Sequence, residues 1–192
     1  YCELDGNIEW AEKLINFIIE RVINERKLEL SILGRDVEDL KRFRGKFPRI
    51  SYTEAVELLK DGGFDFEWGG DFGSPEETFI AQKFDKPVVV HRFPSAIKAF
   101  YMKRDEDNDN VVLGMDILAP EGYGEIVGGA QREDDINLLL KRIEEENLPQ
   151  NEFEWYLDLR RYGSVPHAGF GMGIERVVAW LCKLPHVRET IA

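Results

Sequence analysis

Two carboxylates, Asp116 and Glu125, each lie among apolar neighbours in the stretch Val111–Glu133. A carboxylate that is buried among apolar side chains needs a cation, a metal ion or several hydrogen-bond donors to match its charge. Arg132 follows in the same stretch and supplies a fixed cation that can hold a carboxylate, an amide oxygen or a phosphate. We therefore predict a divalent metal site at Asp116 and Glu125, with Arg132 beside a bound substrate.

The two carboxylates fall on two predicted strands, 111–118 and 123–129. The apolar alternation breaks at Ala119-Pro120-Glu121-Gly122, and this cluster of Pro and Gly predicts the turn of a hairpin. Gly128 and Gly129 follow Glu125 and weaken a strand unless another group must approach the backbone closely. The alternative is a solvent-facing sheet, in which the acids are exposed and the glycines mark a bulge.

A second informative segment contains Gly169, Gly171 and Gly173, which alternate along an extended stretch before an amphipathic helix. Alternating glycines leave one face of a strand free of side chains, so that a planar group can lie against it. The spacing is not the dinucleotide-binding fingerprint, because its third glycine would fall at Ile174. In the helix that follows, we predict one buried face formed by Ile174, Val177, Val178 and Leu181.

Arg176 lies in the first turn of that predicted helix. The helix dipole disfavours a cation there by about 0.3–1 kcal/mol, so the position favours an arginine that meets an anion such as a phosphate. The alternative is an ordinary surface arginine paired with Glu175 or another neighbour.

Composition sets limits on the class of protein. The chain has 192 residues, of which 43% are hydrophobic and 32% are charged, so it can bury one substantial core. The formal net charge of −12 argues against a general nucleic-acid-binding module and against DNA as a partner. The sequence has no signal peptide and no apolar run of about 18 residues, so we expect a cytoplasmic protein with no membrane partner.

The remaining patterns predict an α+β fold with a mainly antiparallel sheet flanked by helices. Ile8–Asn24 has the apolar stripe of a buried helix, whereas the charged segment 25–46 indicates a mobile connector or an exposed helix and marks the predicted internal boundary. Further helices are predicted after the caps at Ser51 and Ser74, over 134–146, and over 152–162 with Asn151 as its cap. Further strands are predicted over 64–68, 87–93 and 96–103.

Four long stretches carry a family resemblance: FPRISYTEAVELLKDGGF, FPSAIKAFYMK, LAPEGYGEIVGGAQRED and EWYLDLRRYGSVPHAGFGMGIERVVAW. Together they resemble the asparaginyl-tRNA synthetases, which are class II aminoacyl-tRNA synthetases of the aspartate, asparagine and lysine subgroup. The resemblance covers nearly the whole chain from Phe47 onward, and GFGMGIERVV is similar to motif 3 of the class. Tyr123–Gly129 resembles the asparagine type, because aspartyl relatives of the archaeal type tend to carry serine where Gly128 stands.

The resemblance also implies how much of a synthetase these residues contain. The family's anticodon-binding OB-fold, its motif 1 and its motif 2 have no counterpart in the chain. We therefore expect residues 1–192 to be the C-terminal portion of a catalytic domain, with a helical lead-in and charged connector over 1–46 and the sheet, helices and motif 3 over 47–192. We expect a homodimer for the full-length protein and no activity for the isolated chain.

The activity that the resemblance implies is an asparagine–tRNA ligase, which activates asparagine with ATP to asparaginyl-adenylate and transfers it to the acceptor end of tRNA(Asn). Mg²⁺ would be held by Asp116 and Glu125, and the catalytic groups would be Glu125, Arg132 and Arg176. The implied ATP-binding residues are Glu125, Gly171, Gly173 and Arg176. The implied asparagine-binding residues are Gly128, Arg132 and His167.

Other functions stay open at this stage. An aspartyl-tRNA synthetase has an arginine matching Arg132, so this residue alone does not choose between the two amino acids. A synthetase-derived asparagine synthetase and a non-catalytic synthetase-like module are the further alternatives. The predicted contacts with the tRNA acceptor end come from one of two basic groups, either Lys98, Lys103 and Arg104 with the interleaved Phe100 and Tyr101, or Arg160 and Arg161.

Overall fold

The computed structural model describes residues 1–191, which contain eight α-helices and six strands. In chain order these are α1 (Leu4–Glu25), α2 (Lys27–Ile32), α3 (Val37–Arg42), β1 (Arg49–Ser51), α4 (Tyr52–Asp61), α5 (Ser74–Ala81), β2 (Val88–Pro94), β3 (Arg104–Asp105), β4 (Asn108–Ala119), β5 (Gly124–Gln131), α6 (Ile136–Glu145), α7 (Glu154–Arg161), β6 (Ala168–Met172) and α8 (Ile174–Cys182).

The six strands form one sheet in the order β1-β2-β4-β5-β6, with the short β3 pairing with β4. Only β1 and β2 run parallel within residues 1–191, and all other pairs are antiparallel. The predicted α+β class with a mainly antiparallel sheet flanked by helices is confirmed. The hairpin of β4 and β5 is also confirmed, because its strands pair across the predicted turn.

Helices cover the two faces of the sheet unequally. On one face α1 and α8 pack on the sheet, where Ile15 and Trp180 share a core with Met115 and Val127. On the opposite face α4 and α5 cover the strands at the β1 end. A third apolar cluster, around Phe100, lies between α6 and α7. The β5–β6 end of the second face is where the glycines predicted to be functional are found.

The apolar stripe of α1 explains its position. Its buried residues recur at three- and four-residue spacing, which is the period of a helix with one face on a core. The segment after α1 is helical and packed, with Leu30, Leu40 and Phe43 buried in the same core as the sheet. Most of the charged side chains of this segment are exposed, Arg35 being buried, and this high charge is why the sequence indicated a mobile connector. The domain boundary at residue 46 stays a prediction.

Two predicted strands are wrong. Residues 64–68 form a loop, because Phe64 and Phe66 pack as single aromatic side chains on the cluster beneath α4 and α5 and need no strand partner. Residues 96–103 are also not a strand, although β3 follows directly. Pro94 ends β2, and the chain then makes a single 3-10 turn at Ser95–Ile97 and delivers Phe100 to the cluster between α6 and α7.

Smaller differences concern the helices. The helix predicted over 152–162 begins at Glu154 after a 3-10 turn, with Phe153 rather than Asn151 at its N-cap. In α8 the predicted apolar face is only half correct. Ile174 is 65% exposed and Val178 is 37% exposed, because α8 is rotated so that Ala179 and Trp180 face the sheet with Val177 and Leu181.

Candidate functional site

The uncovered part of the sheet is a strip of small residues on β5 and β6. One row across the strands consists of Asp116, Gly128 and Gly171, in which each residue pairs with the next. Two residues further along β5, Ala130 pairs with Gly169. Side chains alternate between the faces of a strand, so both rows lie on one face of the sheet. We call Gly128, Ala130, Gly169 and Gly171 the small-residue strip. A Cβ at Gly171 would meet no atom within 4 Å, so the strip is open above this glycine.

The two predicted metal ligands converge at one end of this strip. A bulge between Ile117 and Leu118 places Leu118 opposite Glu125, where an unbroken register would place Ala119, and so brings Glu125 to the face of the sheet that carries Asp116. Both carboxylates turn towards Gly128. The point where a Cβ at Gly128 would lie is 2.5 Å from Oε1 of Glu125 and 3.4 Å from Oδ1 of Asp116. Gly128 is therefore needed to make room for the acid pair.

A third carboxylate, Glu77 of α5, joins the pair and was missed by the sequence analysis. Its Oε2 accepts a hydrogen bond of 3.0 Å from the backbone N–H of Glu125. Burial raises the pKa of Glu77, and the Glu125 charge adds to the increase, whereas the same backbone hydrogen bond and Arg176 lower it. An acid in the first turn of a helix is typical of helix capping, so the sequence carried no signal that this residue reaches the hairpin.

Lys98 is the counter-charge of Asp116. Its Nζ donates to Oδ2 of Asp116 over 2.7 Å, and the two side chains are only 17% and 13% exposed. Burial raises the pKa of Asp116 to about 7; Lys98 opposes this increase, and the charges of Glu125 and Glu77 add to it. Burial and the neighbouring acids therefore disfavour the charged form of Asp116, and a further cation would favour it.

The acid pair meets the requirements of a magnesium ion that is shared with a substrate. Within residues 1–191 no group of three or more His, Cys, Asp or Glu side chains is placed to hold a metal ion. Magnesium in nucleotide sites is usually held by one or two carboxylates together with substrate phosphates and water. Two carboxylate oxygens around one point at Gly128 fit that donor set, and Asp116 and Glu125 would supply the protein ligands.

Arg176 lies beside the acid pair, at the start of α8. Its Nη1 donates to the backbone carbonyl of Glu125 over 2.8 Å, and the side chain is exposed. In the described part of the chain it makes no ion pair, so the alternative of a pair with Glu175 does not occur. A cavity of about 370 Å³ adjoins it, lined among others by Glu77, Tyr123 and Leu184. The arrangement leaves a guanidinium group free to meet an anion.

Arg132 lies at the other end of the strip. Its Nη2 is 3.5 Å from the carbonyl oxygen of Gly169, and its guanidinium carbon is 4.8 Å from the ring centroid of Tyr101. Like Arg176, it has no ion pair with any residue of 1–191. Arg132 follows Gly128 by four residues, which is roughly 13 Å along an extended strand. The strip thus has carboxylates and one guanidinium group at one end and the second guanidinium group at the other.

Three further predicted positions have different surroundings from Gly171. His167 accepts the backbone N–H of Arg132 through its carbonyl oxygen, and its Nδ1 lies 2.7 Å from the carbonyl oxygen of Val165 in its own loop. A Cβ at Gly173 would touch the aliphatic stem of Arg176 at 3.6 Å, so this glycine lies beneath the arginine rather than in the open strip. Gly129 points to the opposite face and packs against Phe170 and α1.

The basic residues considered for tRNA all have protein partners. Lys103 pairs with Asp134, Arg104 with Glu145, and Arg161 with Glu154 and Asp158. Arg160 is buried and donates to the carbonyl oxygen of Glu133. Lys98 is the one member of the two groups that makes its ion pair with a predicted metal ligand.

A mainly antiparallel sheet with an open glycine strip, an acid pair at one end and two arginines without ion pairs has the groups that a substrate carrying both phosphate and a polar group would need. The whole of residues 1–192 matches the family described as class II tRNA synthetases for D, K and N, that is for aspartate, lysine and asparagine. The chain belongs to this family.

Within the family, several similar proteins are of the asparagine type. The chain is 58% identical to an asparagine–tRNA ligase of Desulforamulus reducens and 54% identical to that of Pelotomaculum thermopropionicum, in each case over 100% of this chain and 44% of the relative. A crystal structure of asparaginyl-tRNA synthetase from Pyrococcus horikoshii, complexed with asparaginyl-adenylate, is similar at 48% identity and a TM-score of 0.97, over 100% of this chain and 44% of that one.

An aspartyl relative is less similar. The aspartyl-tRNA synthetase from Entamoeba histolytica shares 29% identity with a TM-score of 0.87, over 100% of this chain and 40% of that one. The two asparagine–tRNA ligases are both longer proteins, and the chain spans less than half of their length.

Proposed function

We propose that the full-length protein is an asparagine–tRNA ligase. It activates asparagine with ATP to asparaginyl-adenylate and pyrophosphate, and then transfers the asparaginyl group to the acceptor end of tRNA(Asn). The observation that carries this proposal is the combination of 58% identity to an asparagine–tRNA ligase with the open strip between two unpaired arginines. The similarity to a synthetase complexed with asparaginyl-adenylate supports ATP and asparagine as the substrates.

The substrate would lie along the small-residue strip. The adenosine would rest on the face left open at Gly171, where no side chain fills the space above the strand. Arg176 would meet the phosphates and adenine, because its guanidinium group is exposed beside the acid pair and has no carboxylate partner. Gly173 contributes by supporting the stem of Arg176.

Asparagine would occupy the Arg132 end of the strip. Arg132 would donate to the side-chain oxygen of asparagine from its place above Gly169 and Tyr101. His167 fixes this end through the hydrogen bond between its carbonyl oxygen and the backbone N–H of Arg132. Gly128 lies at the acid-pair end of the strip and, having no side chain, would let the amino-acid carboxylate and the phosphate come close to the strand.

The chemical step brings the carboxylate of asparagine to the α-phosphorus of ATP, so two anions must approach each other. A magnesium ion held by Asp116 and Glu125 would neutralise phosphate charge when bound. Glu77 holds the backbone N–H of Glu125 and thereby fixes the turn that carries this ligand. Arg132 and Arg176 supply the remaining positive charge at either end of the substrate.

The experiment is ATP–pyrophosphate exchange by the full-length protein with asparagine and with aspartate. We expect exchange with asparagine to exceed exchange with aspartate by roughly 10⁴-fold in kcat/KM, because buried polar groups placed for one side chain are left unpaired by the other. The variants Arg132→Gln and Arg176→Gln should each lose at least about 100-fold. Arg161→Gln removes a similar charge from the surface of α7 and should leave exchange unchanged.

The second candidate, an aspartyl-tRNA synthetase, is favoured by a fold similarity that extends to aspartyl relatives. Exchange that is faster with aspartate would replace the proposal with this candidate. Release of AMP that needs both aspartate and ammonia would indicate an asparagine synthetase, and a protein that binds neither ATP nor asparagine would be a non-catalytic module.

We further propose that the full-length protein is a cytoplasmic homodimer, as the family resemblance implies. Sedimentation of the purified protein tests the dimer, since a single species of monomer mass at micromolar concentration contradicts it. No α-helix in residues 1–191 has the length and apolar character to cross a membrane.

A further inference from the structure

Lys98 is a largely buried cation that pairs with Asp116, one member of the acid pair. Its Nζ is 2.7 Å from Oδ2 of Asp116 and 4.0 Å from the ring centroid of Phe93, a buried residue of β2. A cation over an aromatic face is attracted by the ring, and more strongly when water is excluded. Both contacts hold the ammonium group in one place.

The backbone that carries Lys98 is also fixed from behind. Nη2 of Arg142, a residue of α6 that is only 5% exposed, donates to the carbonyl oxygens of Ser95 and Lys98 over 3.1 and 3.3 Å. Arg142 in turn pairs with Glu146 over 2.5 Å. An ammonium group held by its own contacts and by a supported backbone is preorganised at its site.

This preorganised charge competes with any metal ion for Asp116. The acidic group at this end of the strip consists of Asp116, Glu125 and Glu77, and Lys98 is the only cation in ion-pair contact with any of them among residues 1–191. The ammonium group of Lys98 lies 2.7 Å from Oδ2 of Asp116. A divalent ion that binds Asp116 must therefore come close to this positive charge. Like charges at such distances repel strongly where water is scarce.

We propose that Lys98 is a positioning residue that acts as an internal counter-cation: it fixes the Asp116 carboxylate and keeps divalent metal binding weak until a nucleotide adds its phosphates. The metal ion and ATP then bind together rather than in sequence. The inference rests on the proposed function, because it assumes that Asp116 and Glu125 receive a divalent ion.

The test measures binding of Mn²⁺ alone, without nucleotide, to the full-length protein. Binding is measured by calorimetry and by the loss of the electron paramagnetic resonance signal of free Mn²⁺. Lys98→Met keeps the length of the side chain and removes its charge. At about pH 8.5 we expect Mn²⁺ to bind this variant about tenfold or more tightly than the wild type. Damage to the site would weaken binding, so tighter binding separates the charge effect from a merely structural role.

Two variants are controls. Lys98→Arg keeps the charge and should stay within about threefold of the wild type. Lys103→Met removes another ion-paired lysine of nearly equal exposure, 19% against 17%, but its partner is Asp134, which is not a member of the acidic group. It should leave the affinity for Mn²⁺ unchanged.

The outcomes distinguish this inference from the proposed function. If Asp116→Asn and Glu125→Gln abolish binding of Mn²⁺ with ATP while Lys98→Met leaves the affinity for Mn²⁺ alone equal or weaker, the role of Lys98 is overturned and the metal site stands. If neither carboxylate variant affects Mn²⁺ binding in the presence of ATP, the proposed metal site is wrong and the inference is lost with it.

Discussion

Asp116 lies directly opposite Gly128 on the neighbouring strand, and both it and Glu125 turn into the space that the missing side chain leaves free. The glycine therefore has a steric role in the acid pair, beyond any contact with a substrate. A Cβ at this position would lie 2.5 Å from Oε1 of Glu125, closer than real Cβ atoms approach other heavy atoms. The geometry makes Gly128 a sensitive probe of the site.

Gly128→Ala should disturb the metal site and leave the fold intact. The methyl group must displace the Glu125 carboxylate, which is the end of a flexible side chain, so the free energy of unfolding should change by less than about 1.5 kcal/mol. Activation of asparagine should fall by at least about tenfold, because the ligand no longer points at its partner. Thermal unfolding and pyrophosphate exchange measured on one preparation check both parts; full activity would show that Glu125 does not need its observed position.

Gly171→Ala should have its effect on the nucleotide alone. The added Cβ would meet no atom within 4 Å, so it causes no steric clash in the folded protein. It would, however, occupy the surface on which we place the adenosine. We expect the KM for ATP to rise by roughly tenfold with an unchanged unfolding temperature. An unchanged KM would move the adenosine away from this strand.

Gly129→Ala is the matched variant on the opposite face and should behave in the reverse way. Its Cβ would lie 2.7 Å from Cβ of Phe170 and 2.8 Å from the carbonyl oxygen of Gly169, both in β6, and 3.0 Å from Nδ2 of Asn7 in α1, so β5 must move away from its neighbours. We expect destabilisation of about 2–3 kcal/mol, visible in urea unfolding. A stability equal to that of the wild type would contradict the close packing of Gly129 against β6 and α1.

The sequence predicted those parts of the site that depend on local pattern. The hairpin, the extended glycine segment and the helix after it follow from alternation and turn residues, and each is present. A likeness of long stretches to a known family then placed the arginines and carboxylates on one sheet. The local pattern could not show which face each glycine serves, because Gly128 and Gly129 differ only in what packs above them.

Long-range partners lay outside the reach of the sequence. Lys98 lies four residues after Pro94 in a stretch rich in aromatic residues, and this pattern fitted a strand or a tRNA contact equally well. Only the turn after β2 brings Lys98 to Asp116. Glu77 likewise fitted the first turn of a helix, and only the packing of α5 on the sheet brings it to the backbone N–H of Glu125. Residue type and spacing predict periodic elements, whereas ion pairs between distant elements depend on the packing of the whole chain.

The ion pair of Arg35 with Glu121 should contribute strongly to stability. The Arg35 side chain is fully buried and donates two hydrogen bonds, of 2.9 and 2.7 Å, to the carboxylate in the turn between β4 and β5. Arg35→Met removes both hydrogen bonds and leaves that carboxylate with Lys183 alone, whose Nζ is 3.9 Å from Oε1, and we expect a loss of about 3 kcal/mol in the free energy of unfolding.

A surface pair in the same region provides the control. Nη2 of Arg44 is 3.6 Å from Oε1 of Glu20, and the two side chains are 42% and 55% exposed. Arg44→Met should change the free energy of unfolding by less than about 0.5 kcal/mol. Equal effects of the two substitutions in urea unfolding would mean that burial does not strengthen the pair at the hairpin turn.

His91 should make the stability of the fold depend on pH. This residue of β2 is half-buried, and burial lowers its pKa; the neighbouring Arg92 and Arg49 also lower it, while Glu54 and Asp5 oppose the decrease. In the unfolded chain the histidine takes up a proton near pH 6.5, whereas in the folded chain it does so only at lower pH. Between these two values the unfolded state binds more protons than the folded state, so stability falls as the pH is lowered through this window.

His91→Asn removes this difference in proton binding. We expect the wild type to lose more stability than the variant between about pH 7.5 and about pH 5.5, in urea unfolding at constant ionic strength. Identical pH dependence of His91→Asn and the wild type would mean that the imidazole takes up its proton equally well in the folded and unfolded states, and that burial beside two arginines does not hold it neutral.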